Sequence, residues 1–99
     1  MIAEVSNTTQ EALFRQELIM ETQRNINRWH AERKRTHPDT TPTHAPLEIN
    51  GQLNAETIEA FVRMHNTTHA TALSFTKGRW MLTEEIDARL DSLLPQHTL

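Results

Sequence analysis

The longest stretch without a helix-breaking residue begins near the start of the chain. Neither glycine nor proline occurs between Thr9 and Arg35, and Pro38 follows shortly afterwards. Such a stretch predicts one continuous α-helix of roughly 27 residues, about 40 Å long. Thr8-x-x-Glu11 has the form of a capping box, so we expect the helix to begin at Thr9 and to span residues 9–35.

Apolar residues follow two opposed lines along this predicted helix. With a rotation of about 100° per residue, one line has the width of a core-facing stripe. It consists of Ala12, Phe14, Leu18, Ile19, Ile26 and Trp29. Leu13, Met20 and Ala31 form the second line on the opposite side. Since a small domain needs only the first line for its core, the second is either a set of tolerated surface residues or a ridge that docks a partner.

The rest of the chain predicts a linker, two shorter helices and a small hairpin. Residues 36–53 contain three prolines and an Asn50-Gly51 turn signal, which is a linker composition. Asn54 is placed to cap a helix that runs to about residue 73, and Thr83 to cap a last helix. Between them SFTKGRWML predicts a β-hairpin with its turn at Lys77-Gly78. We therefore expect a mainly α fold: a long N-terminal helix, a proline-rich linker, then two shorter helices flanking a small β-hairpin over residues 54–94. Together these elements make a single helical domain over residues 1–99.

Composition excludes several kinds of chemistry. The 99 residues include no cysteine, which excludes a disulfide framework and a thiolate zinc site. With Gly51 and Gly78 as the two glycines, the chain has no phosphate-binding glycine loop and no GxSxG nucleophile motif. We expect no enzyme activity and no cofactor. The N-terminal residues do not resemble a signal peptide and no apolar run could span a membrane, so we expect a cytoplasmic protein without a membrane partner.

Charge is unevenly distributed along the chain, although the net charge is only −3. Residues 24–35 hold five cations and one glutamate, whereas residues 83–99 hold four acids and one arginine. Either the two segments face each other in the fold, or they attract a partner of opposite charge.

The leading hypothesis is a non-catalytic interaction module that binds and modulates, for example inhibits, a larger complex such as one that processes nucleic acid. Arginines beside an apolar ridge are the residue types that dominate interface energetics. The expected partner-binding residues are Leu13, Met20, Arg24, Arg28, Arg33 and Arg35. Self-association into a homo-oligomer through the same ridge is the nearest variant. Small inhibitors carried by mobile elements are one class of protein with these features.

A second hypothesis is a winged-helix-like DNA-binding transcriptional regulator. The predicted hairpin would be the wing, and cations would contact phosphates. The candidates are Arg33, Lys34, Arg35, Lys77 and Arg79. Nucleic acid is not the favoured partner, because the helix before the hairpin carries Arg63 against Glu56 and Glu59, whereas a reading helix offers several donors to the bases.

A third hypothesis is a metal-binding protein that uses His65 and His69. Histidines four residues apart share one face of a helix, as metal sites require. However, HNTTH lacks the glutamate of the HExxH motif, so a purely structural or pH-sensitive packing role for the two histidines remains open.

His37-Pro38-Asp39 follows the basic end of the predicted long helix. This tripeptide resembles the loop of J-domains, a co-chaperone module in which it joins a basic helix to an antiparallel partner. A J-domain has a separate short helix before its basic helix, where this chain has one unbroken helical pattern. We therefore interpret residues 36–46 as a helix stop and a spacer.

Overall fold

The computed structural model describes residues 2–40 and 45–93, with side chains described from residue 9 onward. These residues form three α-helices and no strand: α1 (Ile2–Thr36), α2 (Ala55–His69) and α3 (Phe75–Leu93). The predicted mainly α fold is confirmed. The molecule measures 57 × 23 × 20 Å, and α1, at about 1.5 Å per residue, is the element long enough to follow the long axis. No helix within the described residues has the length and apolar character needed to cross a membrane.

Helix α1 is longer than predicted because its start is earlier. It begins at Ile2 rather than at Thr9, so the expected capping-box start is wrong, and the side chain of Thr8 lies outside the described residues. At the other end the Thr36 hydroxyl donates to the carbonyl oxygen of Glu32 at 3.0 Å. Pro38 follows two residues later and has no N–H to extend the helix, so the predicted stop is confirmed.

The predicted β-hairpin is wrong, because the residues assigned to it form the first half of α3. Ser74 acts as the N-cap: its hydroxyl oxygen accepts from the amide of Lys77 at 3.2 Å, and its carbonyl accepts from the amide of Gly78 at 2.8 Å. Gly78 is buried within the helix, and a Cβ there would overlap Cγ2 of Val62 on α2. The glycine therefore permits close helix packing rather than a turn.

The predicted start of the last helix at Thr83 is wrong for the same reason. Thr83 lies in the middle of α3, where its hydroxyl donates to the carbonyl oxygen of Arg79 at 2.8 Å. The stop assigned to Pro95 lies outside the described residues.

Helix α2 begins where the sequence predicts and ends earlier. The side chain of Asn54 accepts from the amide of Thr57 at 2.9 Å, as expected of an N-cap. The helix ends at His69 instead of residue 73 because Ala70 adopts the left-handed conformation, with φ 53° and ψ 46°. The side chain of Asn66 then accepts from the amide of Leu73 at 2.8 Å and donates to its carbonyl at 3.1 Å, which turns the chain toward α3.

The hydrophobic core lies between the three helices, and each helix packs on the other two. Its residues come from α1, α2 and α3 in similar numbers, as expected for a three-helix arrangement. They are Leu18, Ile19, Ile26, Ala60, Phe61, Leu82, Ile86 and Leu90. Phe14 and six other partly buried apolar residues surround this cluster.

Part of the predicted linker is fixed to α1 by two carboxamide side chains. Asn27 donates to the carbonyl of Leu47 at 2.9 Å and accepts from its amide at 2.7 Å. One turn earlier, the fully buried Gln23 uses Oε1 to accept from the amides of Asn50 and Gly51, both at 3.0 Å.

The amino group of a buried carboxamide also needs hydrogen-bond acceptors, and the amino group of Gln23 has three acceptors within hydrogen-bond distance. Its Nε2 lies 2.9 Å from Oδ1 of Asn50, 3.1 Å from the carbonyl of Gln52 and 3.0 Å from Oγ1 of Thr57. Thr57 is itself buried in the first turn of α2. Gln23 therefore joins α1, the Asn50-Gly51 turn and α2.

We expect Gly78→Ala to destabilise the protein, although alanine is the better helix former by about 1 kcal/mol. Overlap of the added methyl group with Val62 should outweigh that gain and cost about 1–3 kcal/mol. Urea unfolding followed by circular dichroism measures the effect. In a Val62→Ala background the same substitution should become neutral or stabilising. Equal effects in both backgrounds would contradict close packing at this position.

Replacing Gln23 with methionine should lower the free energy of unfolding by roughly 2–4 kcal/mol. Methionine keeps the length of the side chain, but it leaves the amides of Asn50 and Gly51 without their acceptor. Gln10→Met, at an exposed position of the same helix, is the matched control and should change stability by less than about 0.5 kcal/mol. A similar loss in both variants would refute a specific role for the buried carboxamide.

Candidate functional site

Five of the six predicted partner-binding residues share one face of α1. At about 100° per residue they fall within an arc of roughly 80° and extend over about 33 Å of the helix. We call this set the α1 outer face: Leu13, Met20, Arg24, Arg28 and Arg35. Arg33, the sixth, lies on the other side of the helix and is half-buried. The unbroken helix thus brings most of the predicted residues together.

The apolar end of the α1 outer face is Leu13, whose side chain is 55% exposed. The preceding residues 9–12 are exposed as well. Five successive residues of an α-helix point in every direction around its axis, so none of the described elements covers α1 here. This part of α1 projects beyond the three-helix core, which begins at Phe14.

Met20, in the middle of the α1 outer face, is partly covered by the chain itself. The Asn50-Gly51 turn lies over it, so that a Cβ at Gly51 would meet both Met20 and Gln16. The positive φ of Gly51, 74°, is a second reason for glycine at this position. The Asn50-Gly51 turn therefore packs on part of the second apolar line. Ala31, further along the same line, is exposed.

The basic end of the α1 outer face presents exposed guanidinium groups. Arg28 donates to Oδ1 of Asn25 at 3.2 Å, within the same helix. Arg35 forms an ion pair with Glu32, which lowers the pKa of Glu32 through a hydrogen bond and through charge attraction. By the same contacts Glu32 raises the pKa of Arg35. Since both side chains are exposed, this pair contributes little to stability and can exchange for a partner's carboxylate.

Two ion pairs join α3 to α1, and both lie outside the basic segment. Asp87 forms an ion pair with Arg15, and Arg89 donates to Glu21 at 2.7 Å. The hydrogen bond and the positive charge of Arg89 lower the pKa of Glu21. These ion pairs use residues that precede the basic segment 24–35, so Arg24, Arg28 and Arg35 remain exposed on α1.

An open groove of about 630 Å³ lies beside the basic end of α1. It is bounded by α1, by residues 45–47 and by α2. His30, on its α1 side, lies 3.4 Å from the carbonyl of Ala60. The rim carries charges of both signs, from Arg28, Lys34, Arg63, Glu56 and Glu59. Arg28 belongs to both surfaces, so a partner bound along α1 would reach the groove.

The residues proposed for nucleic-acid binding are not arranged as a winged helix. Arg33, Lys34 and Arg35 occupy the last turn of α1, whereas Lys77 and Arg79 are exposed in the first turns of α3. Because the described residues contain no hairpin, the wing on which this hypothesis depended is absent there. Trp80, assigned by the sequence to the return strand, is instead 65% exposed on α3.

His65 and His69 lie close together near the C-terminus of α2. Their ring centroids are 4.6 Å apart, and His65 is half-buried whereas His69 is exposed. Within residues 2–40 and 45–93 no group of three or more His, Cys, Asp or Glu side chains is placed to hold a metal ion.

Sequence reasoning overlooked the residues that position the α1 outer face and the groove. Gln23 and Asn27 hold residues 47–51 beside α1, and the sequence predicted no role for either of them. The available signal was the position of Gln23, four residues after Ile19 and three before Ile26, which places a polar side chain at the edge of the core-facing stripe.

Comparisons with models of protein families, with curated proteins and with solved structures found no match.

Proposed function

We propose that the protein is a non-catalytic interaction module that binds a protein partner along the α1 outer face and modulates the complex to which that partner belongs. The single observation that carries this proposal is the exposed Leu13 on a helical segment that none of the described elements covers. The lack of nucleophile and phosphate-binding motifs in the sequence supports a non-catalytic role.

Helix energetics support a role in binding for the projecting part of α1. An isolated helical segment of this length is marginal in water, and here it continues a longer helix that is already formed. Such a segment gains stability from any surface that buries its apolar side chains. Leu13 is the described apolar residue best placed to be buried in this way, at about 25 cal/mol per Å² of apolar surface.

Charge defines the partner that we propose. The basic end of the α1 outer face offers Arg24, Arg28 and Arg35, spaced along the helix over about 17 Å. Guanidinium groups bind carboxylates in a bidentate manner, so a complementary surface would present acidic side chains beside an apolar pocket for Leu13. The proposed partner is therefore an acidic protein surface with one apolar pocket, and self-association and nucleic-acid binding become outcomes of the test.

The first test compares two leucines of equal exposure. Leu13 and Leu93 are both 55% exposed, so Leu13→Asp and Leu93→Asp make the same chemical change on α1 and on α3. Tagged wild-type protein and both variants would be used to capture partners from native lysate, with quantitative mass spectrometry. We expect Leu13→Asp to lose the specific partner by about 30-fold or more, as for an interface anchor worth 2 kcal/mol, and Leu93→Asp to retain it.

The second test reverses charge at the basic end of the α1 outer face. Arg24→Glu together with Arg28→Glu should weaken the same partner, whereas Arg79→Glu, at an exposed arginine of α3, should not. Capture that is unchanged in all of these variants would refute the proposal. A partner set made only of nucleic acid, with affinity that falls steeply as salt rises, would also refute it. Sedimentation equilibrium tests self-association. If the wild-type protein is a dimer and Leu13→Asp is a monomer, the partner is a second copy of the chain rather than a different protein.

A further inference from the structure

The turn between α2 and α3 fixes the proton positions around His65. Two hydrogen bonds with the main chain of Leu73 settle the orientation of the Asn66 carboxamide. Its Oδ1 accepts from the amide of Leu73 at 2.8 Å, and its Nδ2 donates to the carbonyl of Leu73 at 3.1 Å. Since the amide can only donate and the carbonyl can only accept, the two ends of the Asn66 side chain are distinguishable.

The hydroxyl of Thr71 is the next link. It lies 2.8 Å from Oδ1 of Asn66, which is an acceptor, so the hydroxyl proton of Thr71 points to Asn66. The same oxygen lies 3.2 Å from Nδ1 of His65. With its one proton already donated, the oxygen of Thr71 can only accept from that nitrogen. Neutral His65 therefore carries its proton on Nδ1, and the lone pair of Nε2 is available.

This is the arrangement found around histidines that bind metals. A metal-ligating histidine usually donates its other ring N–H to an oxygen, which fixes both the tautomer and the orientation of the ring. Here Thr71 supplies that oxygen, and packing of the His65 ring against Phe61, with ring centroids 6.1 Å apart, restricts the ring further.

His69 supplies a second imidazole at a suitable distance. Two imidazoles that bind one ion through nitrogen at about 2.0–2.1 Å, with an angle of about 90–110° at the ion, have ring centroids about 4.5–5.2 Å apart. The observed separation of the His65 and His69 rings is 4.6 Å. His69 is exposed, so its ring is free to turn either nitrogen toward an ion, and solvent can fill the remaining coordination positions.

We infer that His65 and His69 form a two-histidine site for a divalent transition-metal ion of the type that prefers imidazole, such as Zn²⁺ or Cu²⁺, with Thr71 and Asn66 as positioning residues. Imidazole suits these ions, whereas Mg²⁺ and Ca²⁺ require oxygen ligands. The inference depends on the turn after α2 and is independent of the function proposed for the α1 outer face.

The tautomer can be tested without any metal. Long-range ¹H–¹⁵N correlation spectra of the full chain at a pH where its histidines are neutral distinguish the two tautomers of each ring. We expect His65 in the Nδ1–H form, and we expect Thr71→Val to return it to the mixture of tautomers of an unconstrained histidine. His65 found mainly as the Nε2–H tautomer in the wild-type protein would overturn the proton assignment and with it the proposed role of Thr71.

Metal binding is tested by titrating the full chain with Zn²⁺. Isothermal titration calorimetry measures the affinity, and the ¹⁵N signals of the histidines show which residues bind the ion. The signals of His65 and His69 should shift together, and either His65→Ala or His69→Ala should abolish that response. Thr71→Val should weaken binding by about tenfold, as measured when an outer partner of a metal-ligating histidine is removed. His37→Ala, at an exposed histidine at the end of α1, is the matched control and should leave the affinity unchanged.

Stability provides an independent readout. An ion that binds only the folded state raises the midpoint temperature of thermal unfolding. Zn²⁺ should therefore raise this midpoint in the wild type but not in His69→Ala, which lacks one of the two ligands. Zn²⁺ affinity that is equal in the wild type and in both histidine variants would overturn the inference. So would a Zn²⁺ response confined to histidines outside α2.

Discussion

The fold depends on one buried carboxamide. Gln23 is fully buried, and each end of its side chain has hydrogen-bond partners on the segment that follows α1. A buried carboxamide without hydrogen-bond partners would cost several kilocalories per mole. The segment after α1 must therefore follow a path that supplies those partners to Gln23. Because Thr57 is among the partners, the same side chain also sets where α2 begins to pack on α1. No buried side-chain nitrogen or oxygen in the described part of the chain lacks a partner.

Carboxamides hold both of the described non-helical connections in the same way. A carboxamide carries one acceptor and one donor group, as a peptide unit does, and can therefore pair with the amide and carbonyl of a single residue. Asn27 pairs with Leu47 in this manner, and Asn66 pairs with Leu73. Such pairs supply the partners that a β-ladder would otherwise give to extended chain. A small protein without a sheet in its described residues can thus fix two connections and direct three helices onto one core.

The helices were predictable where local signals agree with packing. The unbroken pattern of α1, the stop at Pro38 and the cap at Asn54 each depend on near neighbours in sequence, and each agrees with the structure. The hairpin prediction was wrong because Lys77-Gly78 has the local sequence pattern of a turn. The physical reason for Gly78 is the approach of Val62, sixteen residues earlier, which no local pattern contains.

The candidate surfaces show the same difference: features set by near neighbours in sequence were predictable, and features set by the packing of distant residues were not. The shared face of Leu13, Arg24 and Arg28 follows from helical spacing alone, so the sequence predicted the α1 outer face closely. The same spacing places Arg33 on the other side of α1. The partial burial of Arg33, and the cover that the Asn50-Gly51 turn gives to Met20, depend on how the later chain packs and could not be predicted. The spacing of His65 and His69 was visible in the sequence, whereas the proton chain through Thr71 was not.

Backbone strain at the end of α2 bears on the proposed metal site. Ala70 adopts a left-handed conformation that glycine usually occupies at this position, and a residue with a Cβ costs roughly 1 kcal/mol more there. The carbonyl of Asn66 accepts from the amides of both Ala70 and Thr71, and the Asn66 side chain holds Leu73. The turn is therefore held in a strained shape by several contacts from one residue. This shape places the Thr71 hydroxyl 3.2 Å from Nδ1 of His65, which is the contact on which the proposed metal site depends.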